Sequence, residues 1–588
     1  MRSLLVLILL SGLTACAASS QKPSGADPVV TDTGSVRSYL AEGDVLQWYD
    51  IPFAQPPVGE LRWRAPVALS VTDQLLTRMD EPVICPQQAS SVSGVEGDAA
   101  IGTEDCLYLD VTAPEGADGP LPVMFWIHGG GNTSGHKNTY DFSRLAAEQN
   151  VVVVTINYRL GPLGWFTHPA LDSGPGAIAN FGTLDIIAAL GWVQRNIGLF
   201  GGDSDNVTIF GESAGGHNVL TLLASPLSEG LFHKAISQSG YVRSLSPRQA
   251  YNREREFSQV DRGSWEFTQA LGLDARAVTA ADLRAKDASN IIMTYFDMPS
   301  DHSSPGIIND GVVIPAEGFA AALANPKYAK PSVPVMAGAN NEEVTLWIGL
   351  NRYFVDAAYP LTKWLPPKVR LKDPEMYKFW VRQRSEGWKA QGVDRPLTSL
   401  ESAGYKSLYA YRYDWNDQKD SFLIKFSEVL GAAHASEISF IQGKAMYGPI
   451  GSYMYPDTES AADMTDIMMT AWGNFARTGA PGAVKGSAWA PYSALAPHYM
   501  VLDSMGQHSL RADAANINQI LATVAESTLL NDRERCILAW ELSTALGDPA
   551  YGTYQRWNGG ECANTDVRAL RKTIRESLEE EFGTASVL

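Results

Sequence analysis

A serine between two glycines gives the clearest chemical signal in this sequence of 588 residues. Residues 211–215 read Gly-Glu-Ser-Ala-Gly, the G-x-S-x-G pattern of a nucleophilic serine. The apolar run 207–210 before the motif predicts a strand, and residues 214–223 after it predict a helix. A sharp turn between them would expose the hydroxyl group, and the helix would direct its positive end toward negative charge developing there. The motif therefore predicts Ser213 as a nucleophile.

A run of glycines could supply the stabilisation that such a nucleophile needs. Residues 128–131 read His-Gly-Gly-Gly and follow the strand predicted over 123–127. This is the pattern of an oxyanion loop, whose backbone N–H groups approach a substrate carbonyl without side chains in the way. The N–H of Ala214, directly after the nucleophile, would complete the site. A phosphate-binding loop is the alternative, but no Lys-Ser/Thr pair follows and the G-x-G-x-x-G spacing is absent.

A general base must accompany the serine, and the chain contains nine histidines. After a strand–serine–helix turn of this type, the acid and then the histidine follow along the chain. That order leaves His302, His434, His498 and His508. His434 lies in the small-residue loop 431–437, where an imidazole could reach the serine unobstructed. His498 and His508 flank a late strand and are predicted to lie at the surface, so His434 is the predicted base.

The acid should follow a strand and precede the histidine. Residues 338–343 read Gly-Ala-Asn-Asn-Glu-Glu and follow the strand predicted over 333–336. Either Glu342 or Glu343 could orient the imidazole and stabilise its cation. The spacing of the residues leaves both open.

Strands and helices alternate around these residues, which predicts an α/β fold with an open, mostly parallel sheet flanked by helices. Reactive groups in such sheets lie beyond the carboxyl ends of the strands. Residues 240–330 and 345–405 are rich in helices, loops and aromatic residues, and are interpreted as insertions that roof the site. The predicted strands are 123–127, 151–156, 207–210, 333–336 and 408–413, and the predicted helices are 141–149, 182–198 and 214–223.

The ends of the chain differ from its body. Residues 1–15 combine Arg2 with a short apolar run, as a secretory signal peptide does. The following Cys16 ends the sequence Leu-Thr-Ala-Cys, which resembles the lipobox of bacterial lipoproteins, where the cysteine carries the lipid. These features predict export and a lipid anchor in the periplasm or outer membrane. The remaining segments are a flexible tether over 16–34, a catalytic domain over 35–510 and a helical extension over 511–588.

Five cysteines fit an exported protein. With Cys16 lipidated, an even number remains, which suggests two disulfides. Sequence permits three pairings of the four, and proximity favours Cys85 with Cys106 and Cys536 with Cys562. No C-x-x-C spacing occurs, so a zinc site is not predicted.

The net charge of −19 argues against nucleic acid as a partner, because phosphate binding requires clustered Lys and Arg. It also disfavours adhesion of the folded body to anionic lipid headgroups, so membrane contact is expected only through the lipid anchor. The serine and the glycine loop predict as partner a small molecule with a reactive carbonyl group, such as an ester, and neither a metal nor an organic cofactor is expected.

Several longer segments resemble the type-B carboxylesterase/cholinesterase family. The likeness covers most of residues 35–505 and includes an N-terminal signature and a second signature with a disulfide cysteine. The nucleophile motif and two later blocks also match the family. These segments are residues 51–64, 104–111, 210–216, 231–240 and 472–479.

The resemblance implies an α/β-hydrolase fold and assigns roles to single residues. It implies Ser213 as nucleophile, His434 as base and Glu343 as acid. It also implies a buried acid, Glu212, that tunes the site, and Cys85–Cys106 as the first loop disulfide of the family. The implied oxyanion donors are Gly130, Gly131 and Ala214.

Three departures from the family pattern bear on specificity and on pairing. Residues 86–105 contain no aromatic residue, whereas cholinesterases hold a quaternary ammonium over a tryptophan in this loop. Asn132 stands where relatives often place an aromatic residue. The chain also lacks the mid-chain cysteine of its relatives, which leaves Cys562 as the partner of Cys536. An amidase or lactonase using the same triad, or a non-catalytic recognition protein of this family, are the alternative functions.

Overall fold

The computed structural model describes residues 23–90, 93–116, 119–171, 176–258, 260–299, 306–358, 367–446 and 448–587. The predicted signal peptide, the candidate lipidation site Cys16 and the histidine at position 302 lie outside these ranges. Within them, no helix has both the length and the apolar character needed to cross a membrane.

An eleven-stranded sheet organises the described part of the chain. Its strands lie in the spatial order β11-β10-β9-β8-β7-β6-β4-β5-β3-β2-β1. In chain order they are β1 Ser38–Ala41, β2 Val45–Pro52, β3 Tyr108–Pro114, β4 Leu121–Ile127, β5 Val152–Ile156, β6 Gly202–Glu212, β7 Lys234–Gln238, β8 Val335–Asn340, β9 Leu408–Tyr413, β10 His498–Leu502 and β11 Ser509–Ala512.

The strands from β4 to β10 run parallel to their neighbours, and the outer strands pair antiparallel. Parallel strands covered on both faces require continuous apolar sequence, and β5 reads Val-Val-Val-Thr-Ile with every residue buried. The register places Gly211 opposite Ile127 and Glu212 opposite Gln238, so the carboxyl ends of β4, β6 and β7 meet at one edge.

Helices cover both faces of this sheet, and the predicted α/β class is confirmed. Alternate residues of β4 enter different cores: Phe125 joins one cluster with Trp192, and Trp126 joins the other with Trp472. The helices of seven or more residues are Ser143–Gln149, Phe181–Asn196, Ala214–Ala224, Ser264–Ala270, Ala288–Asp297, Pro374–Lys389, Arg395–Ser402, Glu459–Thr478, Ile517–Glu526, Asp532–Thr544 and Val567–Phe582. Short strands lie at Val29–Val30, Ser35–Val36, Leu75–Leu76, Gln87–Ser90, Val95–Ile101, Ser244–Leu245, Ile307–Ile308, Val355–Ala358, Lys368–Leu371, Ala483–Val484 and Ser487–Ala488.

The four cysteines at positions 85, 106, 536 and 562 form two disulfides in the structure, Cys85–Cys106 and Cys536–Cys562. The first encloses a loop whose Gln87 side chain accepts a hydrogen bond from the Gly135 N–H, four residues after the glycine loop 128–131. The second joins the helix Asp532–Thr544 to the turn that follows Trp557.

The helix Pro374–Lys389 packs against the C-terminal helices, and we call this helix together with residues 519–587 the cap. Arg384 and Glu541 form an ion pair across it at 3.0 Å, and Gly387 allows the close approach of Leu542. The cap shares one hydrophobic cluster, which includes Trp380, Val381, Leu521, Leu538 and Leu542.

Candidate active site

Ser213 occupies a strained turn between β6 and the helix Ala214–Ala224. Its backbone angles, φ 59° and ψ −120°, lie in a region that residues with a side chain rarely adopt. The Ser213 N–H donates to the carbonyl oxygen of Gln238 at 2.9 Å, which holds the turn against β7. A Cβ atom on Gly215 would collide with the carbonyl oxygen of Ile127, so this position requires glycine. The turn leaves the serine partly exposed to solvent.

The glycine loop after β4 lies directly against this turn. A Cβ atom placed on Gly129 would lie 3.2 Å from the Cβ atom of Ser213. Gly130 and Gly131 have φ values of 92° and 63°, which favour glycine. Among the described residues, no hydrogen bond occupies the N–H groups of these two glycines. The N–H of Ala214, the first residue of its helix, has no partner within that helix.

The start of this loop is fixed by a buried stack of rings. His128 stacks on Tyr158 with ring centroids 4.4 Å apart, and the Tyr158 hydroxyl donates to the His128 carbonyl oxygen at 2.6 Å. Burial lowers the pKa of His128 to about 3, so its ring is neutral and structural. Asn132, where relatives often have an aromatic residue, accepts a hydrogen bond from the Asn218 side chain at 2.9 Å.

The structure brings His434 and Glu343 together. His434 Nδ1 lies 2.6 Å from Glu343 Oε2, so Nδ1 carries the proton of this hydrogen bond and Nε2 remains the basic atom. Glu343 is fully buried, and its other oxygen accepts from the Asn340 N–H at 2.8 Å. These contacts orient the imidazole through a carboxylate at the end of β8.

Glu342, the other acid that the sequence left open, points elsewhere. Its Oε2 accepts from the Ala432 N–H at 2.8 Å, and a Cβ atom on Gly431 would collide with its carboxylate. Burial raises the pKa of Glu342 to about 7, against the lowering effect of this backbone hydrogen bond. Glu342 thus holds the loop that carries His434 and does not contact the imidazole through any hydrogen bond in the described part of the chain.

Glu212, the residue before the serine, faces the other side of the imidazole. Its Oε1 lies 3.1 Å from His434 Nε2. Burial raises the pKa of Glu212 well above its ordinary value. Burial also lowers the pKa of His434, but the charges of Glu212 and Glu343 outweigh it and raise that pKa to about 9. The two groups therefore titrate as a coupled pair, in which the imidazole keeps its proton to higher pH than an isolated imidazole does.

Comparison with known proteins identifies the family. The model of the carboxylesterase family matches residues 28–358 and 391–518. The chain belongs to the carboxylesterase family. A para-nitrobenzyl esterase of Bacillus subtilis is 34% identical over 493 residues, covering 81% of this chain and 94% of that protein. A fumonisin B1 esterase of Sphingopyxis macrogoltabida is 35% identical over 494 residues, covering 78% and 83%.

Solved structures agree with the family assignment. A thermophilic PNB esterase superposes with a TM-score of 0.65 at 28% identity, covering 83% of this chain and 98% of that chain. A carboxylesterase of Geobacillus stearothermophilus superposes with a TM-score of 0.64 at 26% identity, covering 84% and 99%. As a member of this family, the protein is a serine carboxylic ester hydrolase.

Two tryptophans pack on the imidazole of His434 in this family member. The centroids of Trp347 and Trp388 lie 4.9 Å and 4.8 Å from the His434 ring. The Trp388 Nε1–H donates to the Ser239 carbonyl oxygen at 3.1 Å. Both tryptophans lie in residues 345–405, which the sequence predicted to roof the site, but nothing in the sequence of the helix Pro374–Lys389 singled out Trp388.

Other aromatic residues of the predicted roof over 345–405 have structural roles. Phe354 is buried against Trp380, and the Tyr353 hydroxyl donates to Glu534 at 2.6 Å. The tryptophan at position 364 lies outside the described residues.

Sequence reasoning also missed a role for Glu437. This carboxyl is fully buried and accepts hydrogen bonds from Asn340 at 2.7 Å and Gln238 at 3.2 Å. Burial raises its pKa. Its position three residues after His434, directly before the helix Ile438–Gln442, is the signal that could have identified it.

The histidines set aside on position lie apart from the site. His498 begins β10 and is partly exposed. The prediction that His508 lies at the surface was wrong, because its side chain is 3% exposed and lies 3.7 Å from Asp463. Within the described ranges, no group of three or more His, Cys, Asp or Glu residues could hold a metal ion.

Proposed function

We propose that this protein hydrolyses carboxylic esters through an acyl-enzyme on Ser213. The observation that carries the proposal is the buried 2.6 Å contact between Glu343 and His434 beside the strained serine turn. His434 Nε2 accepts the hydroxyl proton while Ser213 Oγ attacks the ester carbonyl carbon. Glu343 stabilises the imidazolium that forms.

The oxyanion that forms in this step requires N–H donors. Gly130, Gly131 and Ala214 supply them, and loss of one such donor costs about 3–4 kcal/mol in a comparable enzyme. The tetrahedral intermediate collapses as the imidazolium gives its proton to the leaving alcohol. Water then attacks the acyl-enzyme with the same base, which releases the carboxylic acid and restores the free serine.

The test of the reaction class uses one acyl group on two leaving groups. We expect hydrolysis of 4-nitrophenyl butyrate, with a burst of 4-nitrophenol equal to the number of sites if deacylation is slow. The 4-nitroanilide of butyric acid should react at least about a thousandfold more slowly, because amides demand more of the oxyanion site and of leaving-group protonation. A faster reaction with the anilide than with the ester would show that the protein acts mainly as an amidase.

A preference for uncharged alcohols is the finer part of the proposal. The loop enclosed by Cys85–Cys106 has no aromatic face for a quaternary ammonium, a contact worth about 2 kcal/mol when desolvated. Trp347 and Trp388 instead offer apolar surface beside His434. We expect a higher kcat/KM for a butyryl ester of a neutral alcohol than for butyrylcholine. A tenfold advantage for the choline ester would refute this preference.

We also propose that the mature protein is exported and held at a membrane by a lipid on Cys16. The support is the signal-like segment 1–15 and the lipobox-like sequence that ends at this cysteine. Expressed with its leader in a bacterium, the protein should fractionate with membranes, and Cys16→Ser should abolish lipid attachment. A soluble native protein with a cleaved, unmodified N-terminus would refute the anchor.

A further inference from the structure

Trp347 contacts the site without being buried in it. Its ring centroid lies 4.9 Å from that of His434 and 5.8 Å from that of Trp388, and the planes of the two indole rings differ by only 12°. The residue is nevertheless 50% exposed. An aromatic ring beside the base that is still open to solvent offers a surface on which an apolar part of the substrate can pack.

The element that carries Trp347 is a single helical turn, Thr345–Ile348. A turn of this length has little stability of its own, so its neighbours must hold it. At its start, Thr345 Oγ1 donates to the Leu430 carbonyl oxygen at 2.6 Å, and Leu430 lies four residues before His434. The start of the turn is therefore tied to the loop of the base, and the position of the ring also depends on what holds the other end.

The chain that leaves this turn pairs with a segment of the cap. The Arg352 N–H donates to the Ala585 carbonyl oxygen, and the Val587 N–H donates to the Leu350 carbonyl oxygen, both at 2.9 Å. Asn351 and Ser586 face each other between these two bonds in an antiparallel bridge. Paired backbone bonds of this kind fix both the distance and the direction of the chain that follows Trp347.

Side chains of the cap reinforce this bridge. The Phe582 ring lies 5.0 Å from Arg352 Cζ and 5.7 Å from Lys372 Nζ. Lys372 Nζ also donates to the Arg352 carbonyl oxygen at 2.7 Å, and the next residue, Tyr353, reaches Glu534 through its hydroxyl group. The cap thus holds the stretch after the Trp347 turn through both backbone and side-chain contacts.

We propose that the cap segment 582–587 positions Trp347, and that through this ring it sets the preference of the enzyme for esters with aromatic groups. Trp347 is the residue that contacts the substrate, and the segment acts through it. The proposal rests on the proposed esterase function and adds the element that tunes its substrate choice. Because the family model matches residues up to 518, this element lies in a part of the chain outside the match.

Two esters test the contact made by the ring. Benzyl phenylacetate carries a ring on each side of the ester group and ethyl acetate carries none, and each releases an acid that a pH-stat measures. The ratio of the two kcat/KM values does not depend on the concentration of folded enzyme, so a loss of stability alone leaves it unchanged. In Trp347→Ala the ratio of benzyl phenylacetate to ethyl acetate should fall by about tenfold or more, because the aromatic ester loses the ring on which it packs.

A pair of proline variants tests the role of the segment. Val587→Pro removes the N–H that binds Leu350, and we expect the ratio to fall by about fivefold or more. Ser586→Pro is the matched control, because the Ser586 N–H donates within its own segment, to Thr584 Oγ1 at 3.3 Å. The control should leave the ratio within about twofold of the wild-type value.

A double variant shows whether the segment acts through the ring. If it does, adding Val587→Pro to Trp347→Ala should leave the ratio within about twofold of that of Trp347→Ala alone, since the two changes remove the same interaction. If Val587→Pro does not fold, Phe582→Ala takes its place with the same expectations, because it removes a partly exposed ring from Arg352.

The outcomes separate this proposal from the esterase proposal. The positioning role is overturned, while ester hydrolysis stands, by a ratio that Val587→Pro leaves unchanged, by an equal fall in Ser586→Pro, or by an undiminished fall in the Trp347→Ala background. A ratio unchanged in Trp347→Ala overturns the contact between the ring and the substrate. A wild-type protein that hydrolyses neither these two esters nor 4-nitrophenyl butyrate overturns the esterase function itself.

Discussion

The sheet and the cap contribute to the site in different ways: the sheet side holds Glu343 and His434 2.6 Å apart, whereas the cap reaches His434 through the ring of Trp388. Glu343 follows β8, and its carboxylate accepts a hydrogen bond from the Asn340 N–H at the end of that strand. Ser213 follows β6, and its N–H donates to the Gln238 carbonyl oxygen of the neighbouring strand β7. The cap helix Pro374–Lys389 contributes an aromatic wall instead. The family model matches residues 28–358 and 391–518, and so leaves out the cap.

We infer that the sheet determines the reactivity of the site and that the cap contributes to its substrate selectivity. Proton transfer and oxyanion binding depend steeply on distance, so the groups that perform them sit on the rigid ends of strands. Packing of a substrate against aromatic rings tolerates more variation. We therefore expect changes in the cap to alter substrate choice more than they disturb the triad. Five predictions test this division, from the largest effect on catalysis to the smallest.

Loss of the nucleophile should have the largest effect and leave the fold intact. Ser213→Ala removes the attacking oxygen, and we expect kcat to fall by about 10⁶-fold, as in other serine triads. The circular dichroism spectrum and melting temperature should match those of the wild type. A variant that keeps more than a few per cent of wild-type turnover would place the nucleophile elsewhere.

The two adjacent glutamates should differ sharply. Glu343→Gln removes the carboxylate that orients His434, so kcat should fall by about 10⁴-fold. Glu342→Gln can still accept the Ala432 N–H through its amide oxygen, and should reduce kcat less than about tenfold. The ratio of the two kcat values measures the difference directly. The reverse order would mean that the acid loop is shifted by one residue.

The sequence predicted the sheet side of this comparison well. Five of the strands were predicted near their observed positions because parallel strands covered on both faces leave long apolar runs such as Val152–Ile156. The glycines of the serine turn were recognisable because close backbone contact excludes a Cβ atom. Spacing left Glu342 and Glu343 equivalent, since only the tertiary structure shows which carboxylate faces the imidazole.

The cap side was much less predictable. Trp388 lies in an amphipathic helix where an aromatic residue most often means core packing, and its contact with His434 spans 46 positions of the chain. Contacts of this kind depend on how insertions pack, and local periodicity does not specify that.

Removal of the cap ring should lower activity moderately. Trp388→Ala opens the wall beside the imidazole, and we expect kcat/KM for a neutral ester to fall by about tenfold. Trp380→Ala is the matched control, because this ring lies in the same helix but packs on Phe354 away from the site. It should lower the free energy of unfolding by about 3–5 kcal/mol and leave kcat/KM within about twofold. Equal losses of activity in both variants would show that the cap acts on the site only by stabilising the fold.

The buried acid beside the serine should affect mainly the pH dependence. Activity requires neutral His434, so kcat/KM rises as pH passes upward through the pKa of that group. The charge of Glu212 raises this pKa, and Glu212→Gln removes that effect. The acid limb of the pH profile should therefore move to lower pH by about one unit. An unmoved limb would mean that Glu212 stays protonated throughout the working range.

The two disulfides give the finest comparison, because one lies near the glycine loop of the sheet and the other lies within the cap. Cys85–Cys106 borders Gln87, whose side-chain amide accepts from the Gly135 N–H at 2.8 Å and donates to the Gly135 carbonyl oxygen at 3.0 Å. Gly135 lies four residues after the proposed oxyanion donor Gly131. Replacing this pair with serines should loosen the loop and lower kcat/KM by about tenfold, since small displacements of catalytic groups are costly.

The cap disulfide should behave differently. Replacing Cys536 and Cys562 with serines should lower the free energy of unfolding by about 2–5 kcal/mol, as loss of a native disulfide commonly does. Because this bond joins cap elements to each other and not to the triad, kcat/KM for a neutral ester should stay within about twofold. Urea titrations and steady-state kinetics on both double variants, at a temperature where each is folded, give the two quantities separately. Equal catalytic losses would show that the cap holds the reacting groups as tightly as the sheet does.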